Sequence, residues 1–441
     1  GFDGVLIDEF HERGWEVDVI AAVLRAEIES AGENRLGPLV LTSATLNAQR
    51  IHREVGGDLI EAEGRTYPVD IEYRETPPAP TKSDLESRVR SAVEDVVTDD
   101  ADDGGDILVF LPGKSSINDC RGALRGLASE HNFDVLKVHG RLPPGKMAAA
   151  FDEEYDGRRV YLSTNVAETS VTLPGVTTVI DSGLVKMRKH RGGRSALALT
   201  SVSEASMDQR AGRAGRVRPG RCIRLWSRRH RPKGTTPPEI ERIELDEVML
   251  HAASCGLEGE AFEGAPWVDD PPEFAVKEAR ERLIRVGALG LDGELTDKGW
   301  QLAQLPVDAH DARMLIEPPE ELKGVLADLV ALLQRSTDLV LPLGAVSNAE
   351  SVKQHRRELL QGCHDEIYTD VLCLRGGYPR EHGLHRSAWE EARKVSASLR
   401  EIIDAPVEHP GDDAVELPER AVLADFLLER VPEMAFVLRE R

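Results

Sequence analysis

Short runs of apolar residues alternate along the chain with longer segments in which apolar positions recur every three or four residues. Short runs with little polar alternation are typical of strands in a parallel sheet that is covered on both faces. The longer segments, such as 15–31 and 85–96, have the spacing of amphipathic helices. We therefore predict buried strands at 4–7, 39–41, 107–111, 135–138, 160–162 and 176–180. Strands that alternate with helices in this way indicate a doubly wound parallel α/β fold.

The first predicted strand runs directly into Asp8, Glu9, Phe10 and His11. Open α/β sheets bind ligands at the carboxyl ends of their strands, and two adjacent carboxylates suit a magnesium ion that bridges nucleotide phosphates. Glu9 could then polarise an attacking water, and His11 could sense the state of the site from a neighbouring lobe. The alternative is structural, because an acidic pair after a strand is also common as a helix N-cap and first turn.

Small hydroxyl residues follow the second strand, at 42–45. They either cap the next helix or relay changes between two lobes. Another strand end, at 112–115, has the sequence Pro-Gly-Lys-Ser, which is similar to the end of a phosphate-binding loop. That motif requires a glycine five residues before Gly113, and position 108 is Leu within the predicted strand. We therefore interpret 112–115 as an ordinary turn.

The octapeptide at 209–216, Gln-Arg-Ala-Gly-Arg-Ala-Gly-Arg, is the most informative stretch of the chain. On a helix, Gln209, Arg213 and Arg216 occupy positions i, i+4 and i+7 and so share one face. Arginine presents a planar, always charged donor group that suits a transferring phosphate. An ordinary basic helix rarely has glycine at the intervening positions, because glycine destabilises helices. The pattern therefore favours a functional interpretation.

Charge is unevenly distributed along the chain. The formal net charge is −23, but between Asp181 and Lys233 fifteen Lys or Arg residues stand against three acids, a local net charge of +12. Within this basic band, 184–200 has the alternation of a hairpin around a Gly-Gly pair. The residues near its tip are basic: Lys189, His190, Arg191 and Arg194. Such a hairpin either grips a strand of nucleic acid, whose phosphates attract local positive charge, or is a solvated loop.

Cysteine usage and hydropathy bear on the compartment. Five cysteines are scattered and none forms a CxxC pair, which favours buried or idle thiols in a reducing cytoplasm over a metal site or disulfide framework. No run approaches the roughly 20 apolar residues that a bilayer crossing requires. We therefore predict a cytoplasmic protein that makes no contact with a membrane.

Taken together, the motifs resemble those of superfamily two helicases of the DEAH/RHA type, and most closely their HrpB-like branch. Six motifs match in order and spacing. They are DEFH at 8–11, SAT at 43–45, FLPG at 110–113, STNVAETSVTLPGV at 163–176, IDSG at 180–183 and QRAGRAGR at 209–216. Phe10 departs from the Ala or Cys usual in the wider family, although the HrpB-like branch looks similar there.

The resemblance implies ATP and Mg²⁺ as cofactors. Asp8 and Glu9 would hold Mg²⁺, and Glu9 would also be the base for the attacking water. Gln209 would position that water, while Arg213 and Arg216 would reach the γ-phosphate as arginine fingers. These residues, together with His11, make up the predicted catalytic group.

The resemblance also assigns residues outside this group. Phe151 would stack on the adenine, and Asp181 is placed with the ATP-binding residues. Ser43 and Thr45 would couple hydrolysis to the grip on nucleic acid. The residues expected to contact single-stranded nucleic acid, with RNA favoured over DNA, are Thr164, Asn165, Thr169, Lys189, Arg191 and Arg194. Contacts to the sugar-phosphate backbone imply low sequence specificity.

The predicted fold class is α/β, with two RecA-like parallel-sheet lobes, the first incomplete, followed by a winged-helix domain and a helical bundle. The domain boundaries follow from the resemblance and from changes in composition. They are 1–64 for the C-terminal part of the first lobe, 65–232 for the second lobe with its basic hairpin at 184–200, 233–310 for the winged-helix-like domain, 311–405 for the helical bundle, and 406–441 for a linker and the start of a C-terminal region.

The leading functional hypothesis is an ATP-dependent helicase or translocase that moves along a single strand of RNA, with DNA as a possible substrate. In the family, the GxGKT phosphate loop precedes the DEAH motif, and here only seven residues precede Asp8. We therefore expect a fragment of a longer enzyme, inactive in ATP hydrolysis by itself. The alternative is a nucleic-acid-binding module that has lost catalysis. A third hypothesis, an interaction scaffold, rests only on the acidic charge.

Overall fold

In the computed structural model the chain divides into two compact units, Gly1–Glu244 with Pro266–Pro272, and Leu245–Ala265 with Glu273–Arg441. The residues described are 4–31, 37–43, 48–62, 67–100, 104–140, 155, 157–169, 171, 173–190, 195–307, 309–335, 338–360, 366–406 and 417–431. Within them, no helix is both long enough and apolar enough to span a bilayer.

The first unit contains the strands and the helices that pack on them. The strands are β1 Val5–Ile7, β2 Leu39–Leu41, β3 Val69–Tyr73, β4 Asp106–Phe110, β5 Phe133–Val138, β6 Arg158–Ser163, β7 Val176–Asp181, β8 Leu184–His190, β9 Ser195–Ser201 and β10 Gly220–Arg224. The helices are α1 Trp15–Ala31, α2 Ala48–Val55, α3 Leu85–Val97, α4 Lys114–His131 and α5 Glu204–Gly212. All six strands predicted from the apolar runs are present, which confirms the α/β class.

The main sheet has six parallel strands in the order β3-β10-β7-β4-β6-β5. Neighbouring residues of a strand face opposite sides of the sheet, and both sides are covered. On one side, Ile107 and Val109 of β4 share a core cluster with α3 and α4. On the other, Leu108 and Phe110 pack in a second cluster that includes Ala211 of α5. Burial on both faces explains why these strands have uninterrupted apolar runs.

The parallel pair β1 and β2 differs from the main sheet in its burial. Ile7 and Leu41 pack toward a small cluster, but Leu6 is 63% exposed and Val40 is 43% exposed. The prediction that these two strands are fully buried is therefore wrong for their outer face. Among the described residues, the apolar cluster lies on one face of the pair, where Ala21 of α1 and Ile51 of α2 pack.

The hairpin of β8 and β9 is antiparallel, with Leu184 opposite Ser201. Helix α5 follows, capped by Ser203, whose hydroxyl accepts from the N–H of Ser206 at 3.3 Å. The predicted helical face extended to Arg216, but α5 ends at Gly212 and a 3-10 turn follows at Arg213–Gly215. The turn lies against the chain that enters β3: a Cβ on Gly215 would lie 2.5 Å from the carbonyl oxygen of Tyr67, so only glycine allows this approach.

The second unit is helical. Its helices are α6 Asp246–Ser254, α7 Glu260–Glu263, α8 Glu273–Arg285, α9 Asp297–Gln304, α10 Ala309–Ala312, α11 Glu320–Leu333, α12 Ala349–Leu360, α13 Glu366–Gly376, α14 Pro379–His382, α15 Arg386–Ile402 and α16 Arg420–Arg430. Between α8 and α9 the chain makes a short antiparallel bridge, Leu289 to Leu295. Deeper in the unit, Asp328 of α11 is buried and pairs with Arg375 at 2.5 Å and Arg400 at 2.8 Å, which ties α11 to α13 and α15.

Candidate functional site

The turn at Asp8 and Glu9 leaves the end of β1 and is shaped by local hydrogen bonds. Glu9 has a φ of 52°, in the left-handed region, and its N–H donates to Oδ1 of Asp8 at 3.0 Å. The hydroxyl of Thr42, at the end of β2, donates to the same oxygen. The hydrogen bond from Thr42, followed by the one from the Glu9 backbone, lowers the pKa of Asp8. The exposed carboxylate is therefore ionised at neutral pH.

His11 connects this turn to the octapeptide. It lies in the 3-10 turn Phe10–Glu12, and its Nε2 is 2.8 Å from the amide nitrogen of Gln209. An amide nitrogen can only donate, so in this arrangement Nε2 accepts and the ring proton is on Nδ1. Nδ1 lies 3.4 Å from a carboxylate oxygen of Glu9. A continuous polar path therefore joins Glu9, His11 and Gln209.

Arg213 and Arg216 follow the end of α5. The side chain of Arg213 is buried and donates to the carbonyl oxygens of Val171, at 2.9 Å, and Glu168. Burial, reinforced by the charge of Arg216, lowers the pKa of Arg213 to about 10, while the carboxylate of Glu9 acts in the opposite direction. Burial also lowers the pKa of Arg216, again opposed by Glu9. Glu9 and both guanidinium groups therefore influence one another electrostatically.

Arg210, which is not among the predicted site residues, holds this side of the site together. It is 1% exposed, and its guanidinium pairs with Glu168 and Asp181, each at 2.9 Å. The same group lies 4.9 Å from the ring centroid of Phe110 and so adds a cation–π contact. A buried arginine paired with two carboxylates keeps its charge, because both partners raise its pKa against the effect of burial. The signal available in the sequence was an additional arginine in the octapeptide, next to Gln209, and an acid, Glu168, in the 163–176 motif.

Asp181 is completely buried at the end of β7. Its Oδ1 also accepts from the N–H of Gly183 at 2.8 Å, and Gly183 has a φ of 68°. The structure therefore shows Asp181 engaged with Arg210 and the following turn, and its assignment to ATP binding stays a prediction.

Three of the residues predicted to contact nucleic acid, Thr164, Asn165 and Thr169, come after the carboxyl end of β6 in the main sheet. Thr164 follows β6, and its N–H donates to the carbonyl of Val138 at 3.2 Å; Asn165 begins a 3-10 turn and is exposed. The hydroxyl of Thr169 donates to a carboxylate oxygen of Glu12, which makes a second bridge to the turn after β1. Thr169 is thus engaged within the protein, and its contact with nucleic acid stays a prediction.

The remaining predicted residues are only partly described. Lys189 lies exposed on β8. The carbonyl of Arg188, the residue before it, accepts a hydrogen bond from Arg242 at 2.8 Å, which helps to fix this end of the hairpin. Ser43 is half-buried beyond the end of β2. Four predicted residues lie outside the described residues: Thr45, Phe151, Arg191 and Arg194.

The carboxylates after β1 fit a magnesium ion better than a more demanding metal. No group of three or more His, Cys, Asp or Glu that could hold a metal occurs in the described part of the chain. Magnesium at nucleotide sites is usually held by one or two carboxylates, with waters and substrate phosphates completing its shell. Asp8 is exposed, ionised and next to Glu9, and so offers the hard oxygen ligands that this ion requires.

Comparison with known proteins places the chain among helicases. The family described as helicase conserved C-terminal domain matches residues 88–218, and the helicase-associated winged-helix domain, HA2, matches 279–307. ATP-dependent RNA helicase HrpA of Escherichia coli K12 is 36% identical over 328 residues, which cover 72% of this chain and 24% of that protein. A probable ATP-dependent RNA helicase, the DHX35 homolog of Caenorhabditis elegans, is 32% identical over 373 residues, 79% of this chain and 49% of that protein.

The chain belongs to the DEAH/RHA family of superfamily two helicases. Two crystal structures of HrpB from Escherichia coli share its fold. They give TM-scores of 0.68 and 0.73 at 24% identity and cover 96% and 97% of this chain. This chain spans 47% and 48% of the length of those two HrpB chains, and 24% and 49% of the length of the two RNA helicases named above. The main sheet is accordingly a RecA-like lobe, as the motifs predicted. The second half of α8 and all of α9 fall in the region matched by the winged-helix domain.

Proposed function

We propose that this chain forms part of the ATP site and of the nucleic-acid grip of an ATP-dependent RNA helicase. The observation that carries the proposal is the hydrogen bond between His11 and Gln209, at 2.8 Å. It brings together the DEFH and QRAGRAGR motifs, which lie far apart in sequence. The electrostatic effect of Glu9 on Arg213 and Arg216 supports the same conclusion.

In the proposed mechanism, Asp8 and Glu9 would hold Mg²⁺, which would supply positive charge against the phosphates of ATP. Glu9 accepts the proton of the attacking water, and Gln209 orients that water. The bond from His11 to Gln209 keeps the amide within reach of Glu9. Nδ1 of His11, which carries the ring proton in this arrangement, lies 3.4 Å from the Glu9 carboxylate and so links the two side chains.

Arg213 and Arg216 would stabilise the negative charge that spreads over the γ-phosphate oxygens during transfer. A pKa of about 10 leaves Arg213 almost fully protonated at neutral pH. Burial strengthens the interaction between this charge and a phosphate, because the surroundings screen it less than water does. The backbone carbonyls that accept from Arg213 hold its guanidinium in place before the phosphate arrives.

The nucleic-acid grip would use the carboxyl edge of the main sheet. Thr164, Asn165 and Thr169 would contact the sugar-phosphate backbone, and the basic hairpin of β8 and β9, with Lys189, would follow the strand. Thr169 already contacts Glu12 in the turn beside the ATP site. Through this contact, hydrolysis of ATP would change how Thr169 and its neighbours hold the nucleic acid, and the bound strand would move stepwise. RNA is favoured because both relatives above bear the name RNA helicase.

The test is ATP-dependent displacement of a labelled RNA strand by the full-length protein. We expect the unaltered protein to displace the strand when ATP is present. In Glu9→Gln, ATP turnover should fall by a factor of about 10² to 10⁴ and displacement should be lost, while binding of single-stranded RNA is retained. Binding without any ATP-dependent displacement by the unaltered protein would contradict the proposal and favour a binding module without catalysis.

A further inference from the structure

The segment 266–272 packs beside the turn that carries Asp8 and Glu9, although it comes from far along the chain. It belongs to the first unit, but the residues on either side of it, Ala265 and Glu273, belong to the second. The chain therefore leaves the second unit, contributes seven residues to the first, and returns. Neither the motifs nor the proposed chemistry explains this excursion.

Ion pairs hold the segment through Asp269. Its carboxylate accepts from Nη1 of Arg13 at 2.6 Å and from Nη2 of Arg50 at 2.8 and 2.6 Å. Arg13 is 7% exposed and also donates from Nε to Asp18 at 2.7 Å. Burial acts to lower the pKa of Arg13, but the two carboxylates outweigh it and raise that pKa, so the buried charge persists.

Apolar contacts and backbone bonds add to this attachment. Val268 belongs to one buried cluster with Phe10, Ala21 and Ile51, and Phe10 is fully buried. Phe10 is also the position at which the DEFH motif departs from the smaller residue usual in the wider family. The larger side chain therefore extends the core of the motif toward the 266–272 segment. Arg25 of α1 donates to the carbonyls that begin the segment, including that of Trp267 at 3.3 Å.

Arg13 transmits the position of Asp269 to the site. It directly follows the 3-10 turn Phe10–Glu12, its N–H donates to the carbonyl of Phe10 at 3.3 Å, and its guanidinium lies 5.3 Å from the Phe10 ring centroid. Packing alone does not fix this arginine, because Arg13, Arg50 and His11 line a cavity of about 180 Å³. Asp18 holds the Nε side of the same guanidinium, so the carboxylate of Asp269 is what fixes Nη1 beside this cavity.

We propose that Asp269 is a positioning residue for ATP hydrolysis, which acts through Arg13 to fix the turn that carries Asp8, Glu9 and His11. The inference rests on the proposed function for its catalytic consequence, but its structural part stands independently. It gives a role in catalysis to a residue that lies outside every recognised motif. The geometry of the proposed ATP site then depends on the segment 266–272, which is preceded and followed in sequence by residues of the second unit.

The test compares Asp269→Asn with two controls. Asp246→Asn breaks a similar pair, because Asp246 accepts from Nε of Arg282 at 2.8 Å and is 22% exposed, against 17% for Asp269. Asp269→Glu keeps the charge. For Asp269→Asn we expect amide hydrogen exchange in residues 8–13 to become about tenfold faster. In Asp246→Asn the exchange rate of these residues should not change, and in Asp269→Glu it should stay close to that of the unaltered chain.

In the full-length protein, Asp269→Asn should lower kcat for ATP about tenfold while KM changes less than twofold, because misplaced catalytic groups slow the chemical step. Exchange in residues 8–13 that matches the unaltered chain would overturn the inference, as would faster exchange without a fall in kcat. If the unaltered full-length protein hydrolyses no ATP, the proposed function fails, and the exchange measurement still decides whether Asp269 positions the turn.

Discussion

Arg210 and Arg13 are both buried arginines that hold neighbouring site residues, but their carboxylate partners come from different parts of the chain. Arg210 pairs with Glu168 and Asp181, 42 and 29 residues away in sequence, within the main sheet and its loops. Arg13 pairs with Asp18, five residues away, and with Asp269, 256 residues away. The carboxylates that hold Arg210 therefore all come from its own lobe, whereas one of the two that hold Arg13 comes from a distant segment.

This difference matches the burial of the two regions. The main sheet is covered on both faces and has two core clusters. The pair β1 and β2 has one small cluster, and that cluster is completed by Val268 of the distant segment. Among the described residues, the turn after β1 is held in part by this segment, through Val268 and Asp269.

Arg210→Met should produce the largest effect on stability. It leaves the carboxylates of Glu168 and Asp181 buried without their partner, which costs about 3–5 kcal/mol. We expect the free energy of unfolding of the first unit to fall by that amount in denaturant titrations. As a control, Arg229→Met removes an exposed arginine and should change the same quantity by less than about 0.5 kcal/mol. Equal effects of the two substitutions would show that the octapeptide side is not held by this ion-pair group.

A double-mutant cycle on His11 and Gln209 measures the bond between the two sides. A hydrogen bond between neutral groups contributes about 0.5–1.5 kcal/mol, so we expect a coupling energy of that size in the free energy of unfolding for His11→Ala, Gln209→Ala and the double variant. Pairing His11→Ala with Asn165→Ala, an exposed position, should give additive effects. Additivity in the His11 and Gln209 cycle itself would mean that the two sides do not interact through this bond.

The smallest expected effect concerns Asp8. Its hydrogen bond from Thr42 lowers its pKa, so Thr42→Val should bring that pKa back toward its ordinary value. Because the folded-state pKa is depressed, the stabilisation is present above the unfolded pKa and is lost as the pH falls through the folded one. In Thr42→Val, this stabilisation should therefore be lost at a higher pH than in the unaltered protein. NMR titration of the Asp8 carboxyl measures the shift, with Thr98→Val at an exposed position as the matched control. An unchanged Asp8 pKa in Thr42→Val would contradict the assignment.

The sequence predicted most of the main sheet, and it singled out the DEFH turn and Gln209, which the structure brings together. The strands of that sheet were predictable because burial on both faces produces uninterrupted apolar runs, and Asp8, Glu9 and Gln209 were predictable because their motifs are local. The end of α5 at Gly212 was not, because the close approach of Gly215 to Tyr67 depends on the tertiary structure. The pairing of Arg13 with Asp269 was not predictable either, since an ion pair across 256 residues leaves no pattern in a single sequence.

The measurement that tests the central claim most directly is a double-mutant cycle in single-turnover ATP hydrolysis by the full-length protein. The variants are Glu9→Gln, Arg213→Lys and their combination. If both residues act in one ATP site, the double variant should be only slightly slower than the slower single variant, because groups that act as a unit are not additive. Losses that multiply across the two substitutions would contradict a single site formed by the DEFH turn and the octapeptide.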